Sequence, residues 1–253
     1  MLKCKLEQKR LKNKTCIALI DLDGTLINLD WRKNMSQYYR KIKRILPNLG
    51  ANLTYFYSIR WAAKKMMADS SNDMLNIEKF FMYLSRISRI PDNKNREIYF
   101  KFYEESFSGF QGDIAAVEGA HELIKVCKET GIKVVLATNP VFPLQAVTER
   151  LSWGKFDPGD FDLITHIQNF SRSKPSAEYF LEILRRIGGR LEDTFMVGDD
   201  YHYDIRPCQK MGIKTWWYLD RKTTVRKKSM SGKLTELNKI ISSGSLENLD
   251  IAK

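Results

Sequence analysis

The chain has 253 residues, with 42 Lys and Arg against 30 Asp and Glu and a formal net charge of +12. That length buries a substantial core and accommodates one α/β domain carrying a smaller insertion, while no segment is long enough in apolar residues to cross a bilayer. The four cysteines, Cys4, Cys16, Cys127 and Cys208, are too scattered for a zinc site or a disulfide framework, which fits a reducing cytoplasm. Residues 1–14 are basic, but the apolar stretch after them is short and runs into Asp21, so no signal peptide is expected. The positive charge invites a polyanion partner. It is concentrated in two runs, Lys3 to Lys14 and Arg221 to Lys233, that lack the interleaved aromatics of a base-stacking platform. Solvated charge is the expected reading over a polyanion site, and a modest attraction for phosphorylated substrates is compatible with either.

The first element is an apolar run, Ile17-Ala18-Leu19-Ile20, that ends in Asp21-Leu22-Asp23-Gly24-Thr25. A strand with no polar face belongs at the centre of a parallel sheet covered on both sides, and ligands sit at the carboxyl edge of such a sheet. Strand alternation sends the carboxylates of Asp21 and Asp23 to the same side, where their repulsion calls for a cation, a shared proton or divergent roles. A divalent metal would relieve it best. Gly24 permits a tight turn and Thr25 supplies a hydroxyl to tie it. Taken alone, Asp-x-Asp-Gly is equally a strand ending in an Asx-type turn.

Between Asn28 and Gln111 the pattern is helical throughout. Trp31 to Leu46, Leu53 to Ala68, Met74 to Ile90 and Arg96 to Phe110 carry apolar residues at helical spacing, separated by turn-forming segments at Pro47, Asp69 and Pro91. Residues 28–111 are therefore expected to form an all-helical module inserted into a core of residues 1–27 and 112–253. Its many aromatics, from Tyr38 to Tyr103, chiefly supply a bundle core, with a few available to face a ligand.

After Val117 strands and helices alternate. The pattern predicts a helix His121–Thr130 closed by Gly131, a strand Ile132–Ala137, a helix Phe142–Trp153 and a short strand Asp162–Ile167. It continues with a helix Ser176–Ile187 stopped by Gly188-Gly189, a strand Thr194–Val197, a helix near Asp204–Met211 and a strand Lys214–Leu219. Leu234 to Ile241 reads as a surface helix. Such alternation builds a Rossmann-like α/β fold, a parallel sheet with helices on both faces in three layers.

Three further strand or loop ends carry polar residues: Thr138 after Val134-Val135-Leu136-Ala137, Lys174 before a helical pattern, and Asp199-Asp200 after Phe195-Met196-Val197-Gly198, with Asp204 following. In this order, with Asp21 and Asp23, they resemble the four motifs of the haloacid dehalogenase-like hydrolase superfamily, mostly phosphatases. The resemblance covers Thr15 to Leu29 and Val117 to Tyr218. It implies that Asp21 is the nucleophile, Asp23 the general acid and base, Thr138 the phosphate-binding hydroxyl, Lys174 the lysine beside the nucleophile and Asp199 a metal-binding acid. Asp204 would orient the surroundings of the metal. Asn139, next to Thr138, is a candidate phosphate or substrate contact. Asp200 stands where many relatives carry a small polar residue, and is a further candidate metal group. The helical insertion resembles the cap of many superfamily members.

What the resemblance implies is a Mg²⁺-dependent phosphatase acting on a small phosphorylated metabolite through an aspartyl-phosphate. Mg²⁺ favours hard oxygen ligands, which Asp21, the main-chain carbonyl of Asp23, and Asp199 would provide. A phosphomutase uses the same acids and is the alternative. A dehalogenase needs no acid in the position of Asp23, and a non-catalytic scaffold has no need of the full acid set. His202 falls in a loop after the last acids and reads as solvated, and His121 and His166 are assigned no role.

Overall fold

The computed structural model describes residues 16–31, 40, 47, 53–71, 74–219, 230–246 and 249. The expected helix Trp31–Leu46 falls almost wholly outside these residues, as do Cys4 and nearly all of both basic runs. Six strands form one sheet: β1 (Ile17–Ile20), β2 (Lys133–Leu136), β3 (Leu163–Ile164), β4 (Thr194–Gly198), β5 (Lys214–Tyr218) and β6 (Ser231–Gly232), in the order β3-β2-β1-β4-β5-β6. Every pairing is parallel, and Ile17 stands opposite both Lys133 and Thr194.

β1 lies at the centre of the sheet and is buried along its whole length. Its residues divide between two cores: Ala18 and Ile20 join Val134, Leu136 and Val197 on one face, while Ile17 and Leu19 join Val135 and Met196 on the other. Two buried faces explain why the strand has no polar alternation, and they make the three-layer Rossmann-like fold. β6 was not anticipated. Its Ser-Gly pair has no apolar period to mark it, and it pairs in parallel with Trp217 and Tyr218 of β5.

Within the inserted segment the described helices are α1 (Leu53–Ala68), α2 (Asn76–Ser88) and α3 (Asp92–Glu105), followed by a short 3₁₀ turn Ser108–Phe110. The helix expected at Arg96–Phe110 starts earlier, directly after Pro91, and Ser106 breaks it from the 3₁₀ turn. Arg89 ends α2 in a left-handed conformation at φ 58°. In the core follow α4 (Ala120–Glu129), α5 (Leu144–Trp153), α6 (Ala177–Ile187), α7 (Arg206–Lys210) and α8 (Leu234–Ser242). α5 begins two residues later than its periodicity suggests because the extended Pro143 precedes it. The helix expected from Asp204 instead opens as a π-helical turn, Tyr201–Ile205, capped by the Asp200 side chain. Cys127 and Cys208 are buried thiols, and burial pushes the Cys127 pKa up to about 12. Among the described residues no helix is long and apolar enough to cross a membrane.

The two crossings between sheet and insertion lie side by side. Asn28 N–H donates to Ala115 O at 3.0 Å, and its side-chain oxygen accepts from Ala115 N–H at 2.8 Å. A second attachment is made by the first turn of α2. Asn76 N–H donates to Phe170 O at 2.7 Å, its side-chain amide donates to Arg172 O at 3.1 Å, and Lys79 Nζ donates to Ser171 O at 3.0 Å. These bonds fasten α2 to the loop that leads into Lys174.

Candidate active site

The site forms where β1, β2 and β4 end. Asp21 N–H donates to Val197 O at 2.9 Å, extending the β1–β4 ladder by one residue and fixing the direction of the Asp21 side chain. Gly24 has φ +87° and packs against the Asp199 carboxylate, so a side chain there would collide with it as well as strain the backbone. Gly198 at the end of β4 is pressed in the same way against the Asp204 carboxylate. The two glycines let β1 and β4 bring acids from three positions together.

Lys174 is 2% exposed, and its Nζ donates to Asp21 Oδ1 at 2.7 Å and to Asp204 Oδ1 at 2.6 Å. One carboxylate oxygen from each of Asp21, Asp199 and Asp204 lies within 4.8 Å of the others. Burial opposes charge on Lys174, but Asp204 and Asp21 outweigh it and hold its pKa well above the usual value. Removal from water raises the pKa of Asp204, and its negative neighbour Asp21 adds to this while Lys174 opposes it. Asp199 is raised likewise, first by desolvation and then by Asp21 and Asp204. One ammonium thus faces three carboxylates, and the surplus negative charge, carried on hard oxygens, suits a divalent cation such as Mg²⁺. Asp204 also has its Oδ2 engaged, accepting from Asp200 N–H at 3.3 Å.

Asp23 leaves this cluster. Its Oδ2 accepts from Trp31 Nε1 at 3.0 Å and from Arg150 Nη1, whereas its Oδ1 is buried with no hydrogen-bond partner among the described residues. Burial raises the Asp23 pKa, the Arg150 charge opposes that, and Asp21 reinforces it. Two residues of alternation therefore bring the acids to one edge, but their side chains are gripped by different cations.

Thr138 and Asn139 line the same cavity as Asp21, Asp23 and Lys174, which has a volume of about 840 Å³. The loop carrying them is pinned from beneath, since Thr138 O accepts from Thr165 Oγ1 at 2.6 Å and from Tyr179 OH at 2.8 Å. Asn139 Nδ2 touches Met67 Sδ of α1 at 3.7 Å, and its Oδ1 is buried without a partner among the described residues. The opposite wall carries Asp199, whose carbonyl accepts from Trp217 Nε1 at 2.8 Å. Asp200 lies beside it but directs Oδ1 to the N–H groups of His202 and Tyr203 at 2.7 and 3.1 Å, so this carboxylate caps the π-helical turn and stands outside the acidic cluster. His202 is exposed at the rim. His166 hydrogen-bonds Gln168 at 2.8 Å, and His121 stacks on Phe156 at 4.3 Å.

Sequence reasoning missed Arg150, although a signal was present. It follows Ala146 by four positions and Val147 by three, so a charged residue sits on the buried stripe of an otherwise ordinary amphipathic helix. Trp31, Trp217 and Tyr179 were also missed as supports, because nothing local marks an aromatic polar atom as a tether.

Paired acids just past the central strand of a parallel sheet, a buried lysine, an acid just past the neighbouring strand and a fourth in the π-helical turn after it make up a site of the kind hydrolases use. The profile of the haloacid dehalogenase-like hydrolases matches residues 17–212, and the chain belongs to that family. Pyrophosphatase PpaX of Bacillus mycoides is 27% identical over 207 residues, covering 78% of this chain and 80% of its own. Among solved structures, a 2-haloacid dehalogenase from Pseudomonas syringae pv. Tomato is similar with a TM-score of 0.62 and 18% identity, over 91% of this chain and 99% of that one. A HAD phosphatase from Thermococcus onnurineus is similar with a TM-score of 0.54 and 16% identity, over 90% and 98%. These two likenesses concern the fold.

Proposed function

We propose that this enzyme, a phosphoric monoester hydrolase of its family, is a Mg²⁺-dependent phosphatase that cleaves a small phosphorylated metabolite through an aspartyl-phosphate on Asp21. The observation that carries this reading is Lys174, which holds Asp21 Oδ1 at 2.7 Å and leaves Oδ2 with only the Thr25 hydroxyl, at 3.4 Å, among the described residues. An oriented carboxylate with one free oxygen is a suitable nucleophile for phosphorus. The transition state places charge on the peripheral oxygens, so positioning and positive charge do most of the work. Lys174 and the Thr138 hydroxyl would hold those oxygens, with the Asn139 amide beside them. Mg²⁺, held by Asp21, Asp199 and the Asp23 carbonyl with Asp204 in the same cluster, would supply further positive charge and substrate orientation.

Asp23 would protonate the leaving oxygen as its bond to phosphorus breaks. It would then accept a proton from the water that attacks the aspartyl-phosphate, freeing Asp21 and inorganic phosphate. Specificity would reside in the helical insertion acting as a cap, because the core recognises only the phosphoryl group common to all candidates. Met67, Val141, Phe142 and Tyr203 support this, since they line both the catalytic cavity and a second cavity of about 670 Å³ walled by aromatics of the insertion. The free thiols of Cys16, Cys127 and Cys208 support a cytoplasmic location.

The test is release of inorganic phosphate from a panel of phosphorylated metabolites, with and without a chelator. Turnover of at least one monoester that stops on chelation and returns with Mg²⁺ is expected. Hydrolysis that survives exhaustive chelation would refute the metal requirement, and no phosphate release from any monoester would refute the phosphatase.

A further inference from the structure

Arg150 is completely buried on α5 and does not line the catalytic cavity. Its Nε donates to Ala146 O of its own helix at 3.0 Å, which fixes the direction of the guanidinium. The guanidinium carbon lies 4.6 Å from the Phe142 ring centre and 6.0 Å from that of Trp31, and those two rings stack at 5.2 Å. Arg150 Nη1 and Trp31 Nε1 then converge on a single atom, Asp23 Oδ2.

The contact is one-sided in an informative way. An arginine that merely neutralises a buried carboxylate does best with two parallel hydrogen bonds, one to each oxygen. Here Arg150 Nη2 and Asp23 Oδ1 are both buried, and neither has a hydrogen-bond partner among the described residues. Each unpaired group is costly to keep out of water. The arrangement anchors Oδ2 with two donors and leaves Oδ1 without a partner among the described residues, on a residue that lines the cavity.

We propose that Arg150 is a positioning residue for the reaction: by anchoring Asp23 Oδ2 together with Trp31, it makes Oδ1 the oxygen that gives and takes the proton. This rests on the phosphatase reading above. Asp23 Oδ1 passes its proton to the leaving oxygen while the phosphorus–oxygen bond breaks and Asp21 becomes phosphorylated. In the second step Oδ1 accepts a proton from water as the water oxygen bonds phosphorus and the Asp21–phosphorus bond breaks. Arg150 itself touches neither substrate nor phosphate.

The experiment compares an alkyl phosphate, whose leaving oxygen needs a proton, with p-nitrophenyl phosphate, which needs it far less. Arg150→Met should reduce kcat on the alkyl ester by about 100-fold, within the range for losing general acid catalysis, with a loss several-fold smaller on the aryl ester and KM nearly unchanged. Arg150→Lys, which keeps a charge but only one donor group, should fall between wild type and Arg150→Met. It also preserves the comparison if Arg150→Met does not fold. In an Asp23→Ala background, Arg150→Met should cost nothing more, because there is no carboxylate left to position. Equal losses on both esters, or losses that multiply in the double variant, would reduce Arg150 to a structural role and overturn the assignment alone. Absence of hydrolysis by the wild-type enzyme on either ester would instead overturn the phosphatase reading and this assignment with it.

Discussion

At the carboxyl edge of the sheet, one ammonium at 2% exposure holds two carboxylates at 2.7 and 2.6 Å, with a third alongside. In the helical insertion the interior is ring against ring, with Phe80 and Phe81 5.1 and 5.3 Å from Tyr99. The first region is held by charges whose energies depend on one another, so that removing one member strands the rest. The second is held by buried area and packing, which fail gradually and locally. The lesson is that the edge should respond as a unit and the insertion piecewise. Each of the following variants is a way to break or sharpen that contrast.

The largest effect is expected for Asp21→Asn, which removes the nucleophile and one charge of the cluster. Turnover measured by phosphate release should fall by about 10⁴-fold or more, as when other nucleophiles are deleted. Substantial residual turnover in pure protein would exclude the covalent route. Lys174→Met should come next, leaving Asp21 and Asp204 buried without their cation. A stability loss of about 3–5 kcal/mol is expected in denaturant titration, partly recovered by saturating Mg²⁺; an unchanged midpoint would mean that solvent, not Lys174, neutralises the acids.

Phe81→Ala, at a fully buried ring of the insertion, should cost a comparable amount, about 3–5 kcal/mol. The distinction lies in the kinetics, because kcat on p-nitrophenyl phosphate below the unfolding transition should stay within a few-fold of wild type. A collapse of that activity would show that the insertion's packing and the acidic cluster form one cooperative unit. The smallest effect is expected for Asn76→Ala, which deletes hydrogen bonds from α2 to the loop before Lys174. About 1–3 kcal/mol should be lost, with hydrogen exchange accelerating at Ile77 and Lys79 before the sheet. Uniform acceleration across β1 and β4 would mean that this attachment stabilises the whole molecule and not one junction.

Much of the architecture is legible in the amino-acid sequence. Ile17 to Ile20 and Phe195 to Val197 announce central strands because both faces of each are buried, and a run without polar alternation has few other places to go. The same logic marked Asp21, Asp23, Thr138 and Asp199, each a polar residue interrupting or closing an apolar run, and the structure brings all four to one cavity. Element ends were read less well. Pro143 delays α5, Ser106 divides what looked like one helix, and the Asp200 carboxylate turns the start of the expected Asp204 helix into a π-helical turn. These are single-residue events that a periodicity averages away.

The local periods of the chain therefore determined the parallel sheet, the helical insertion and which polar residues stand at strand ends, because burial on one or two faces writes a repeat into the sequence. Which partner each acid meets was decided only by the tertiary structure. Asp21 finds Lys174 across 153 positions, and Asp23 finds Arg150 across 127. No period connects residues that far apart. Strand alternation made the two acids look equivalent, and the fold separated them by packing a different buried cation against each.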